Sequence, residues 1–238
     1  MCRHFLFAVS VAVAAGCSKT PDQKEVDSIQ DPFILQHGVR LEENELLAGT
    51  FVIFVREDFE SDPKERNRID DSDMVQLAKM PRLKSLTVAD SQVTNVGFAS
   101  LKDLKLEQLI VSGTKIDDSA MNYLAASTEL RVLMLDETQI TNKAVEFIAD
   151  QFPALEALDL SSTSINDHAV PFLAKLQHLS DLNVSNTNVT DASITVFAHM
   201  TQLKTLNLAS VPSDQPSLSK KGADRLRRAL PKTDVVHY

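Results

Sequence analysis

The sequence predicts an α/β fold built as a solenoid, with a parallel β-sheet along the concave side and short helices on the convex side. Three observations carry that prediction. A leucine-patterned hexamer returns at a nearly fixed spacing from Leu83 onward. A hydroxyl, a β-branched apolar residue and an Asp or Asn follow each hexamer at fixed offsets. Two apolar residues three positions apart then close the unit, the spacing of one face of a short helix.

The chain opens with MCRHFLFAVSVAVAAG, residues 1–16, which has the layout of a secretory signal. Arg3 and His4 precede an apolar stretch from Phe5 to Ala15, too short to span a bilayer, and small residues follow. Ala14-Ala15-Gly16-Cys17 resembles the lipobox of bacterial lipoproteins, with Ala14 where that family usually has Leu. The resemblance implies that Cys17 is lipidated after cleavage before it, which would hold the chain on a membrane facing the periplasm or exterior. Ser18 after the cysteine slightly favours the outer membrane. The only other cysteine, Cys2, lies inside the signal, so no disulfide is expected in the mature chain. Residues 17–30 are polar and read as a tether.

Residues 31–82 read as an N-terminal cap with a degenerate first repeat. Val39-Arg40-Leu41 and Leu46-Leu47 flank a plausible turn, and Phe51–Val55 is the best candidate strand before the charged insert REDFESDPKERN. The stretch from Ile69 to Ala78 repeats a convex half, with Asp71 in the column expected to cap helices.

Residues 83–210 carry the repeats. Segments begin at Leu83, Leu106, Leu130, Leu155, Leu179 and Leu203, with spacings of 23, 24, 25, 24 and 24 residues. They read LKSLTV, LEQLIV, LRVLML, LEALDL, LSDLNV and LKTLNL, ending in the alternation of a strand with one buried face. Ser91, Thr114, Thr138, Thr163 and Thr187 form the hydroxyl column, expected to bond backbone groups inside the turn. Val93, Ile116, Ile140, Ile165 and Val189 follow, then Asn95, Asp118, Asn142, Asp167 and Asp191 as expected helix N-caps. This pattern resembles the leucine-rich repeat family in its bacterial T-x-[IV]-x-[DN] form. The resemblance implies a right-handed horseshoe in which stacked units share one core. Residues 211–238 read as a C-terminal cap, with GADRLRRAL helical and Val235-Val236 a closing strand.

The resemblance also points to the concave strand positions as a contact surface for a protein or peptide. The candidates are Ile110, Val132, Met134, Asp136, Asp159, Asp181, Asn183 and Asn207, expected to face solvent. Apolar residues in the early repeats give way to acids and amides in the later ones. Asp136, Asp159, Asp181 and Asn183 offer hard oxygen ligands suited to calcium, but no calcium-loop motif accompanies them, and no metal or cofactor is expected. A net charge of −9 argues against nucleic acid, since phosphate binding needs a basic footprint. The one basic run, Lys220 to Arg228, reads as a solvated helix face. The five histidines after the signal share no column, and no nucleophile, phosphate-loop or zinc motif is present. The expectation is a lipid-anchored binding module of the cell envelope, not an enzyme. The alternative is a structural or self-assembling envelope component.

Overall fold

A computed structural model describes residues 39–44, 50–55, 69–80, 83–210 and 218–237, the first two stretches as backbone. The signal sequence, Cys17, the tether and the charged insert lie outside the described residues.

Strands β1 (Val39–Asn44) and β2 (Thr50–Val55) pair antiparallel, and every later strand joins in parallel. They are β3 (Leu83–Thr87), β4 (Gln108–Ile110), β5 (Val132–Met134), β6 (Ala157–Asp159), β7 (Asp181–Asn183), β8 (Thr205–Asn207) and β9 (Asp234–Val236). The nine strands lie in chain order in one sheet. Parallel neighbours need a crossover between them, and the convex half of each unit supplies it. Its helical parts are α1 (Asp71–Leu77), α2 (Asn95–Phe98), α3 (Asn142–Gln151), α4 (Val170–Leu173), α5 (Ile194–Phe197) and α6 (Lys220–Ala229), with a 3₁₀ segment at Asp118–Leu124. This is a leucine-rich repeat solenoid.

One ladder shows why the register holds. Leu86, Leu109, Leu133, Leu158, Leu182, Leu206 and Val235 are paired strand to strand, and all are buried. A one-residue slip would turn every one of them outward. Each buried leucine contributes roughly 2 kcal/mol relative to exposure, so the register is strongly specified. Phe98, Met121, Val145, Val170 and Ile194 close the same core from the convex side.

After each strand the chain turns through a left-handed residue: Asp90, Gly113, Glu137, Ser162 and Asn186, with φ between 53° and 67°. The hydroxyl column secures that turn. Thr114, Thr138, Thr163 and Thr187 each donate from Oγ1 to the carbonyl three residues earlier.

The convex half corrects the expected caps. The N-caps are Asp70, Thr94, Asp117, Thr141, Thr190 and Ser219, whose side chains accept from the backbone N–H two or three residues on. The expected cap column, Asp71, Asn95, Asp118, Asn142, Asp167 and Asp191, sits one residue later, and its side chains reach the next repeat. Asp118 accepts the N–H of Thr141 at 2.7 Å on Oδ1 and its hydroxyl at 2.6 Å on Oδ2. Asp71 does the same to Thr94, Asp167 to Thr190 and Asp191 to Ser219. Asn95 accepts the N–H of Asp117, and Asn142 accepts that of Asn166 while its amide donates to Asn166 Oδ1 at 2.9 Å.

The pairing follows a donor–acceptor rule. A carboxylate meets a Thr or Ser, whose hydroxyl can donate to its second oxygen. An amide meets an Asp or Asn, whose side chain is itself an acceptor. A carboxylate in that place would face another oxygen with no proton between them. Gly97 and Gly222 make room for the seam: a Cβ there would sit 2.5 Å from Asp71 Oδ1 and 2.4 Å from Asp191 Oδ1.

Candidate partner-binding face

Three columns of side chains stand on the concave side of β3 to β8. The first runs Ser85, Gln108, Val132, Ala157, Asp181, Thr205, and the second Thr87, Ile110, Met134, Asp159, Asn183, Asn207. Two residues beyond the second come Ala89, Ser112, Asp136, Ser161, Ser185 and Ala209.

The expectation that all eight candidates face solvent does not hold. Val132 is 7% exposed, Met134 3%, Asp136 3%, Asp159 3% and Asn183 7%. Ile110, Asp181 and Asn207 are half-buried and are the candidates with surface to offer. Sequence spacing fixes which side of the sheet a residue occupies, but not how much room it finds there.

For the polar members the reason is hydrogen bonding. Asp159 Oδ1 accepts the N–H of Ser161 at 2.8 Å, Asn183 Oδ1 that of Ser185 at 3.1 Å, and Asn207 Oδ1 that of Ala209 at 3.1 Å. Each side chain folds back on the backbone two residues ahead, where the strand bends into its turn. Asn183 also donates to Asp159 Oδ2 at 2.8 Å across the strand gap. Asp136 accepts the Ser112 hydroxyl, and neither it nor Asp159 is a free carboxylate. The acid and amide column that reads as a recognition patch is therefore a turn-closing column.

The apolar members make a small cluster of their own. Val132, Met134 and Ala157 pack together with Ile110 at its edge, separate from the main core on the other side of the sheet. Ala157 is fully buried. The Ser161 hydroxyl beside them is shut off from solvent without a hydrogen-bond partner, as is that of Thr87.

The titration of the seam follows from its bonds. The hydroxyl of Ser119, its N–H and Asn95 hold Asp117 below the usual carboxylate range. Burial pushes Asp167 up, but the Ser193 hydroxyl, both donors of Thr190 and the nearby His168 outweigh it and bring the group down. The Ser219 hydroxyl leads in lowering Asp191, against partial burial and with help from Arg225 and His237. These carboxylates are tuned to stay ionised, which suits fasteners.

Among the described residues, no group of three or more His, Cys, Asp or Glu is placed to hold a metal ion. Among the same residues, no helix is long and apolar enough to cross a membrane. Cys17 lies outside the described residues.

The architecture and its repeating columns define a leucine-rich repeat protein fold. Solved structures with that arrangement include an internalin from Listeria monocytogenes, 23% identical with a TM-score of 0.52 over 68% of this chain. Another is an internalin C2 from the same organism, 20% identical with a TM-score of 0.51 over 82% of this chain. The chain spans 49% of the first and 83% of the second. No protein-family model matches the sequence, and no curated protein does.

Proposed function

We propose that this chain is a binding module for a protein or peptide, held in the bacterial cell envelope by a lipid on Cys17. One contrast supports the binding role. The framework columns keep one chemistry in successive units, while the first concave column changes at every strand: Ser85, Gln108, Val132, Ala157, Asp181, Thr205. A scaffold whose buried positions repeat and whose inner-face positions vary can carry recognition without touching stability. The accessible part of that face is Gln108 and Ile110 at one end and Asp181, Thr205 and Asn207 at the other. The anchor rests on the lipobox resemblance, and binding is favoured over catalysis because the polar groups of the face close turns.

Photo-crosslinking in intact cells tests it, with the reactive group at Asp181 or Asn207 and at convex Lys143 as control. Capture of one protein from the two concave positions alone is the expected result. Equal capture from all three, or none, would remove the face from consideration.

A second reading, self-assembly in the envelope, has its own observation: α6 exposes Lys220, Lys221, Arg225 and Arg228 at one end of a chain whose net charge is −9. Sedimentation at low and high salt separates the two, since assembly through that helix would weaken as salt screens it.

A further inference from the structure

Burial on the concave face is concentrated on β5 and β6. Every residue of the three columns there, Val132, Met134, Asp136, Ala157, Asp159 and Ser161, is less than a tenth exposed. Their counterparts on β4 and β8 are half-buried. A sheet curving evenly would shade its columns evenly, so curvature does not explain a patch. Met134 makes the point sharply. It stands between the shorter side chains of Ile110, Val132, Asp136 and Asp159, so on an open face its terminal methyl would meet water, yet it is 3% exposed.

We propose that the patch is covered in cis by the chain's own apolar run Phe33-Ile34-Leu35, which occupies the binding face until a partner displaces it. The inference rests on the reading of this face as a partner site and names its regulation. Three arguments select that segment. The first is reach. β1 runs antiparallel to β2, so Val39 lies opposite Val55, at the edge of the sheet where strands give way to turns. From β1 to β4, β5 and β6 is three, four and five strand spacings, about 14, 19 and 24 Å. Leu35, Ile34 and Phe33 lie four, five and six residues before Val39, which an extended chain carries about 14 to 21 Å.

The second argument is composition. Between Ser18 and Gly38, Phe33-Ile34-Leu35 is the one run of consecutive large apolar residues; Val26 and Ile29 stand singly among polar neighbours. The third is the Ser161 hydroxyl, which is 2% exposed and lacks a hydrogen-bond partner. A polar strand laid over it would offer backbone donors and acceptors, whereas side chains of Phe, Ile and Leu offer none. Burying about three large apolar side chains also contributes enough to hold a short segment against its loss of freedom, while leaving it displaceable.

The test uses the full chain purified from membranes in detergent, with a photo-crosslinker replacing Ile110, at the rim of the patch. Irradiation at high dilution should join position 110 to the tryptic peptide Glu25–Arg40 within one monomer. Phe33→Asp with Ile34→Asp should abolish that link and raise the rate of Met134 oxidation by peroxide at least several-fold. Both changed residues lie outside the repeat core, so the fold is not at stake. A link in a dimer band, a link to residues 5–15, or no link together with ready oxidation of Met134 would each overturn the inference. The binding reading is scored separately, from Asp181 and Asn207 in cells. An internal link without partner capture sinks that reading alone, and capture without an internal link sinks the cover alone.

Discussion

Two lines of acids and amides run along this solenoid, and they do different work. The convex seam, from Asp71 to Asp191, bonds each repeat to the next over 22 to 28 residues of sequence. The concave column, Asp159, Asn183 and Asn207, bonds mostly within its own repeat, to the N–H two residues on. In a one-dimensional stack, stability divides into a term for each repeat and a term for each interface. The seam belongs to the interfaces and the concave column to the repeats. Damage to the seam should loosen neighbours from each other, while damage to the column should soften one repeat in place.

The largest effect is expected where both lines of argument meet burial. Asn183→Asp would set a carboxylate against the buried carboxylate of Asp159 and remove the donated bond between them. A loss of about 2–4 kcal/mol in urea unfolding is expected at neutral pH, since a buried like-charge pair is stabilised by neither water nor a partner. The loss should shrink in acid as one carboxyl protonates. If the variant matched wild type at neutral pH, the column would not be the closed device described.

Next comes the seam itself. Asp167 receives the N–H of Thr190 at 2.9 Å, its hydroxyl at 2.7 Å and the hydroxyl of Ser193. Asp167→Ala should cost about 2–3 kcal/mol, the range for removing charge-assisted bonds at a partly buried site. It should also broaden the unfolding transition, as the units before and after the break separate. Hydrogen exchange should rise on both sides of the break. Exchange rising in one repeat only would put the seam in the same class as the concave column.

A smaller effect tests the donor–acceptor rule. Asn142→Asp would face Asn166 Oδ1 with an oxygen in place of the amide that now donates at 2.9 Å. The expected cost is about 1 kcal/mol. Adding Asn166→Thr should recover most of it, because a carboxylate then meets a hydroxyl as in the other rungs. A double variant worse than the sum of its parts would show that the rule is a coincidence of six pairs.

The repeat was legible in the sequence because its signal is periodic and made of whole columns. Leu86 to Leu206 and Thr114 to Thr187 occupy the places their spacing assigns. The cap was misplaced by one residue for a physical reason. Thr-Asn, Asp-Asp, Thr-Asn, Asn-Asp and Thr-Asp each offer two good capping side chains in a row. Local propensity cannot choose between them when the second has a partner a full repeat away. The clue was present all the same: Asp precedes repeats capped by Thr or Ser, and Asn precedes those capped by Asp or Asn. On the concave face, spacing identified the side of the sheet, but Asp159 and Asn183 read as exposed because their turn bonds are invisible to periodicity. What lies over Met134 depends on tertiary placement that no column encodes.

The smallest effect concerns pH, and it separates the two lines by sign. Asp117, Asp167 and Asp191 have folded values below the ordinary carboxylate range. A carboxylate lowered on folding contributes stability that is complete above its unfolded value, about 4, and is lost as pH falls through the folded one. Wild type should therefore weaken below about pH 4 beyond what its unfolded carboxylates explain. Asp167→Asn, which keeps an acceptor for the Thr190 N–H but cannot titrate, should start less stable and flatten that decline, by under about 1 kcal/mol given its partial exposure. Asn183→Asp should move the opposite way, gaining relative to wild type as pH falls, because its penalty is a charge that acid removes. Urea midpoints for the three proteins from pH 2.5 to 7 would show the curves converging at the acid end. Parallel curves would mean that neither line of carboxylates acts through its charge, and the bonds drawn here would then count as neutral contacts only.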